Sequence, residues 1–244
     1  MKSVFFREIN SFFSSMIGFL AMGFFILITG LVLWFFPEYN VLNSGYSTLD
    51  SFFSLAPILF LFIIPAITMR LFSEEKQLGT LEWIFTKPIS EKEILLGKFF
   101  ASLFLIFVAL IPTLIYYFSI YQLGYPKGNI DNGGVVGSYF GLFLLASAFC
   151  SIGIFCSSLT ANQIVAFILA AVVCAFLFWG FDLVSSFKFL EGSSLDYFIK
   201  NLGISYHYDS ISRGVLDTRD LIYFISISFL FLYLSFFQLE KRKI

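Results

Sequence analysis

Six long apolar runs limit what this chain can become. The first, residues 12–36, is interrupted only by Ser, Gly and Thr and stops at Pro37. A hydrocarbon core about 30 Å thick is crossed by about 20 helical residues, so the run is long enough to span a bilayer. It exceeds a secretory apolar region of roughly 7–15 residues and no small-residue cleavage site follows, so it reads as a retained span. Further runs cover 52–71, 95–123, 136–159, 163–184 and 221–239. Pro57, Pro65 and Pro112 fall inside the second and third. Each removes a backbone hydrogen bond that neighbouring helices can re-satisfy, which predicts kinked helices packed in a bundle.

Local signals sharpen the span ends. Ser90 and Glu93 have capping-box spacing just before the third run, and Asp217-Thr218 opens the last, which Glu240-Lys241-Arg242-Lys243 closes. The fourth run carries Gly141, Ala146, Ser147, Ala148, Ser151 and Gly153, small residues that let helices approach closely. Three or four residues link it to the fifth, which predicts a tight antiparallel hairpin. With 59% hydrophobic and 13% charged residues in a chain of 244, six spans leave no room for a soluble domain of ordinary size. The expected fold class is all-α integral membrane, a six-helix bundle.

Charge placement gives the orientation. Of the 15 basic residues, one side receives Lys2, Arg7, Arg70, Lys76, Lys87, Lys92, Lys98, Lys241, Arg242 and Lys243. The other receives only Lys127, Lys188, Lys200, Arg213 and Arg219. Lys and Arg favour the cytoplasmic side, so both termini and the second-to-third connection are expected there. A net charge of −1 offers no basic surplus for nucleic acid, and the bilayer is the first expected partner.

Catalytic chemistry finds no foothold. The sequence holds no GxxxxGK[ST] loop, no HExxH and no CxxC, so no enzyme activity, bound cofactor or metal is expected of this chain. Cys150, Cys156 and Cys174 lie in the fourth and fifth runs and read as buried apolar thiols. The one histidine, His207, sits between Tyr206 and Tyr208, as in an interfacial aromatic belt, and has no metal-ligating companions. Asp182, near the outer end of the fifth run, is either a proton or ion site or a carboxylate reaching headgroup water.

Two connections carry more information than the spans. Residues 70–98 are densely charged, yet Leu78, Leu81, Trp83, Ile84 and Phe85 interrupt the charges and Gly79 and Pro88 punctuate them. A solvated loop accounts for the charges alone; short amphipathic helices at the membrane surface account for both. On the other side, residues 195–220 mix Tyr197, Phe198, Tyr206, Tyr208, Ile211 and Val215 with polar side chains. They read as short re-entrant or surface helices over an outer gate, or as an aromatic belt.

The run Glu74-Glu75-Lys76, Gly79-Thr80-Leu81-Glu82, Pro88-Ile89-Ser90 and Gly97-Lys98 resembles the segment after the second span in ABC-2 permeases, the membrane subunits of type 2 ABC transporters. The stretch from Arg7 to Ser15 is similar to the opening of that family, and as a helix it puts Phe5, Ile9, Phe12 and Phe13 on one interfacial face. Residues 207–224 resemble the stretch before the last helix in these permeases. The resemblance implies one permease domain over 1–244, with a coupling segment at about 70–94 and an outer segment at about 187–219, in a bacterial plasma membrane. It also implies a cytoplasmic ABC ATPase partner that supplies ATP and Mg, and a second permease copy or a different membrane subunit. On that likeness Glu74, Glu75, Gly79, Thr80, Leu81, Glu82, Trp83 and Phe85 are the coupling residues. Tyr206, His207, Tyr208, Arg213, Gly214 and Asp217 then belong to the outer gate. The sequence alone also admits an ATP-independent channel or secondary transporter, and a structural anchor of a motility or secretion machine.

Overall fold

A computed structural model describes residues 1–41, 45–187 and 194–241; Lys188, Arg242, Lys243 and residues 188–193 of the outer segment lie outside these. The chain opens with the amphipathic helix α1 (Lys2–Phe13), and Ser15 then caps α2 (Met16–Phe35) by accepting from the Gly18 amide. Helix α3 (Asp50–Thr68) runs back and breaks at Met69 into α4 (Arg70–Gln77), which Gly79 separates from α5 (Thr80–Phe85). The expected capping box forms. Ser90 accepts from the Glu93 amide while the Glu93 carboxylate accepts from the Ser90 amide, starting α6 (Glu91–Leu110).

Pro112 does not end the third span but tightens it into a 3-10 turn, Ile111–Thr113, before α7 (Leu114–Leu123). Helix α8 (Asn132–Leu159) leads into α9 (Gln163–Ala175), whose first amides donate to Asn162 Oδ1; this is the expected hairpin. A π-helical turn, Phe176–Gly180, carries α9 into α10 (Phe181–Ser185). Two short helices follow, α11 (Ser194–Lys200) and α12 (Ile204–Ile211). Asp217 then caps α13 (Thr218–Glu240) through the Arg219 amide.

Six of the resulting helices are long and apolar enough to cross a membrane: Gly18–Phe35, Asp50–Gln77, Glu91–Leu123, Asn132–Leu159, Gln163–Ser185 and Thr218–Glu240. The chain is thus a multi-pass membrane protein, and the described residues contain no strand. Helix α8 is the axis of the bundle, touching α3, α6, α9, α12 and α13. Close approach comes from its small residues: a Cβ built on Gly153 would lie 2.0 Å from Thr68 Oγ1 of α3. Between apolar helices in lipid such contact, with interhelical hydrogen bonds such as Ser147 to Ser228 at 3.1 Å, is the main source of association. The cysteines are free and buried where α8 meets α9. Helices α2, α9 and α13 leave Leu27, Ile168 and Phe229 exposed to lipid or another subunit.

Candidate functional site

Functional geometry gathers at the two ends of the bundle. The proximal end carries α1, α4 and α5; the distal end carries α11 and α12. At the proximal end the break at Met69 leaves backbone groups without helical partners, and Ser157 of α8 satisfies several of them. Its hydroxyl donates to the Met69 carbonyl at 2.9 Å and accepts from the Phe72 and Ser73 amides at 3.0 and 3.1 Å. Ser73 Oγ returns a bond to the Ser157 carbonyl, and Lys76 Nζ donates to the Ser158 carbonyl. Helix α4 is therefore fastened to the end of α8.

Beside this seam lies a buried charge cluster. The Lys98 side chain is 0% exposed; its ammonium donates to Glu8 Oε1 and Glu75 Oε1, both at 2.9 Å, and to the Leu71 carbonyl at 2.5 Å. An ammonium has three donors, and here all three are used. Arg7 Nη2 joins Glu8 and Glu75 at 2.5 Å each. Burial pushes the Glu8 carboxyl up, but Lys98 and Arg7 outweigh it and hold the group below the ordinary carboxylate value. Two cations face two carboxylates, so the cluster is neutral without an outside partner.

Gly79 adopts φ +67°, the left-handed conformation that lets the chain turn between α4 and α5. In α5 Leu81 and Ile84 face inward, Phe85 is half-buried, and Glu82 and Trp83 face out. Trp83 is 64% exposed, with Lys87 Nζ 4.1 Å from its ring centroid, and Leu78 beside the turn is 67% exposed. The residues that sequence reasoning grouped here thus divide by direction. Gly79, Thr80, Glu82 and Trp83 lie on the open surface. Glu74 pairs with Arg70 at 2.9 Å on the rim, while Glu75 and Leu81 point inward. Arg7, Glu8, Lys98 and Ser157 were missed. The available signal is Lys98 itself, a charge at the start of an apolar run.

At the distal end α12 is buried within the bundle. Tyr208 donates to the Phe53 carbonyl at 2.8 Å, and Ser138 Oγ donates to the Ser212 carbonyl at 2.7 Å. Helix α8 receives α12 on glycines. A Cβ at Gly141 would lie 1.9 Å from Ile211 Cγ2, and one at Gly137 would lie 2.7 Å from the Gly214 carbonyl oxygen. His207 is walled in: Nδ1 lies 2.6 Å from Asp220 Oδ1, Nε2 lies 2.9 Å from the Asn201 carbonyl, and Tyr223 stacks on the ring at 3.9 Å. Tyr206 is partly exposed with its edge on the same imidazole, and Asp217 serves as the α13 cap.

A cavity of about 570 Å³ opens between α3, the π turn and α12, lined by Asp50, Trp179, Asp182, Asp209 and Arg213 among others. Asp182 accepts from Ser205 at its edge, so this carboxylate faces a protein cleft. Burial, reinforced by Asp182 and opposed by Arg213, raises the Asp209 carboxyl above its ordinary value.

A six-span helical bundle with fastened short helices at one end and a buried helical cap at the other defines a multi-pass membrane protein. Residues 15–235 match the family described as ABC-2 family transporter protein, and the chain belongs to that family. It is therefore an ABC transporter permease subunit, not itself catalytic, and its family implies an ABC ATPase subunit as partner. No curated protein matches the chain.

Proposed function

We propose that this chain couples ATP hydrolysis in a separate cytoplasmic ATPase to export across a bacterial plasma membrane, with α4 and α5 as the docking surface. The observation that carries this reading is the exposure of Glu82 and Trp83 on α5 and of Leu78 at the turn before it, next in the chain to α4, which Ser157 fastens to α8. An exposed indole rimmed by charge is the composition of a binding hot spot with a charged edge that sets register. Both termini then lie in the cytoplasm. Two permeases pair in the membrane, as two copies or with a different subunit, and the α12 cap with its cleft forms the outer gate. Taken as a whole the chain resembles the gliding-motility permease GldF, and on that likeness we propose a role in gliding motility with a GldG-like second subunit.

Capture from native membranes tests the docking surface. Trp83→Ala should reduce co-purified ATPase about tenfold or more, and Glu82→Lys should uncouple hydrolysis from activity, both with normal membrane insertion. Gly79→Pro should also uncouple, because proline fixes φ near −65° and removes the amide that donates to the Lys76 carbonyl. Full ATPase association and activity in all three variants refutes the surface. Orientation is checked separately with reporter fusions after Lys87 and after Tyr206, expected inside and outside respectively; the reverse result overturns the topology.

A further inference from the structure

Charge joins helices α1 and α4 more than packing does. Helix α1 rests on α6, where a Cβ at Gly97 would come within 3.0 Å of Val4 Cβ, and on α2, where Phe12 covers Gly18. Toward α4 there is instead a small cavity of about 40 Å³ lined by Glu8, Ser11, Arg70 and Glu74, room enough for water. Ion pairs link the two helices through Arg7 to Glu75 and through Glu8 to Lys98 to Glu75. Lys98 is buried on α6 and spends all its donors on this cluster. In so low a dielectric the attraction is strong, and a partner left alone is costly.

We propose that Lys98 is the positioning residue of a charge joint that makes α1, α4 and the start of α6 move as one body. This rests on the reading of α4 and α5 as the ATPase docking surface and extends it: a push received there reaches the N-terminal helix through Glu75. Glu75 thus acts inside the permease and is not part of the surface offered to the partner.

The joint is measured first in the intact chain in lipid nanodiscs. Spin labels go on exposed positions of α1 and α4 by Asn10→Cys and Gln77→Cys. A narrow distance distribution is expected, which Glu75→Gln and Lys98→Met each broaden or shift by about 2 Å or more, the scale of helix shifts in switching transitions. The double variant should do no worse than the worse single one, since both remove the same link. A control pair at Ala161→Cys and Glu240→Cys should stay unchanged, separating a broken joint from general loosening. An α1–α4 distribution unaltered in both variants overturns the proposal. So does equal broadening of the control pair.

The second measurement uses the complex captured from native membranes and trapped with ATP and vanadate. Helix α1 should move with α4 in the wild type, while in Glu75→Gln α4 moves alone although ATPase still co-purifies. Joint movement in that variant would refute the transmission. Failure to capture any ATPase instead removes the docking reading, and the distances in the isolated chain still decide the joint.

Discussion

Alanine at position 98 will destabilise the folded chain by about 3–5 kcal/mol, the range for breaking a buried ion pair from one side. Glu8 and Glu75 are only 13% and 14% exposed at the side chain, and without Lys98 they share Arg7 alone. One oxygen of Glu75 already lacks a hydrogen-bond partner, so the cluster has no reserve. The Leu71 carbonyl also loses its ammonium donor, and the Phe72 ring loses the ammonium that lies 4.9 Å from its centroid. Glu74→Ala provides the contrast. Its pair with Arg70 is a partly exposed i,i+4 contact, and such pairs contribute about 0–1 kcal/mol.

Thermal unfolding of both variants in lipid should separate them by several kcal/mol; equal melting would sink the claim. Acid gives a second check. The Glu8 carboxyl is depressed in the folded chain, so its contribution is present above the ordinary carboxylate value and lost as pH falls through the folded value. The gap between wild type and Lys98→Ala should therefore narrow below about pH 4.

The same cluster shows where sequence reading stopped. Runs of apolar residues, the Ser90–Glu93 box, the Asn162 hairpin and the Asp217 cap are all local, and all appear where their spacing puts them. Glu74 and Glu75 are adjacent, so spacing says only that they point in directions about 100° apart on a helix. Which of them turns inward is decided by Arg7 and Lys98, 68 and 23 residues away. Leu81 and Trp83 likewise share one turn of α5 but face opposite ways, because α5 presents the Leu81 and Ile84 side to the core. A mixed apolar and charged composition marks the segment as amphipathic without saying which aromatic faces outward.

Distance in sequence hid the distal end for a related reason. Tyr206, His207 and Tyr208 read as an aromatic belt because the partners of His207 and Tyr208, namely Asp220 and the Phe53 carbonyl, sit on other helices. The small residues of α8 were legible as a close-packing face. Their lower part receives a spanning helix, α3 at Gly153, but their upper part receives the short helix α12. Nothing in glycine spacing distinguishes a spanning neighbour from a short one.

Gly141→Ala turns that distinction into a measurement. The added methyl would lie 1.9 Å from Ile211 Cγ2 and 2.9 Å from Ile211 Cβ, and Ile211 is fully buried and stiff at χ1. Overpacking of this kind costs about 1–3 kcal/mol, and the least constrained response is for α12 to lift from α8, breaking the Ser138 to Ser212 hydrogen bond. Gly23→Ala, with nothing within 4 Å of the new methyl, should change stability by no more than about 0.5 kcal/mol. Ile211→Ala removes the clashing methyl, so the Gly141→Ala/Ile211→Ala pair should be more stable than the two single costs predict, by about 0.5–3 kcal/mol of coupling. Position 141 stands sixteen residues, about 24 Å of helix, above the Ser157 seam, too far for direct disturbance of α4. The variant should therefore capture ATPase normally while losing activity if α12 gates the outer side. Full activity with α12 displaced, seen as new labelling of Ser205→Cys from outside, would remove the gate role; lost ATPase capture would show that the cap and the coupling end are one cooperative unit.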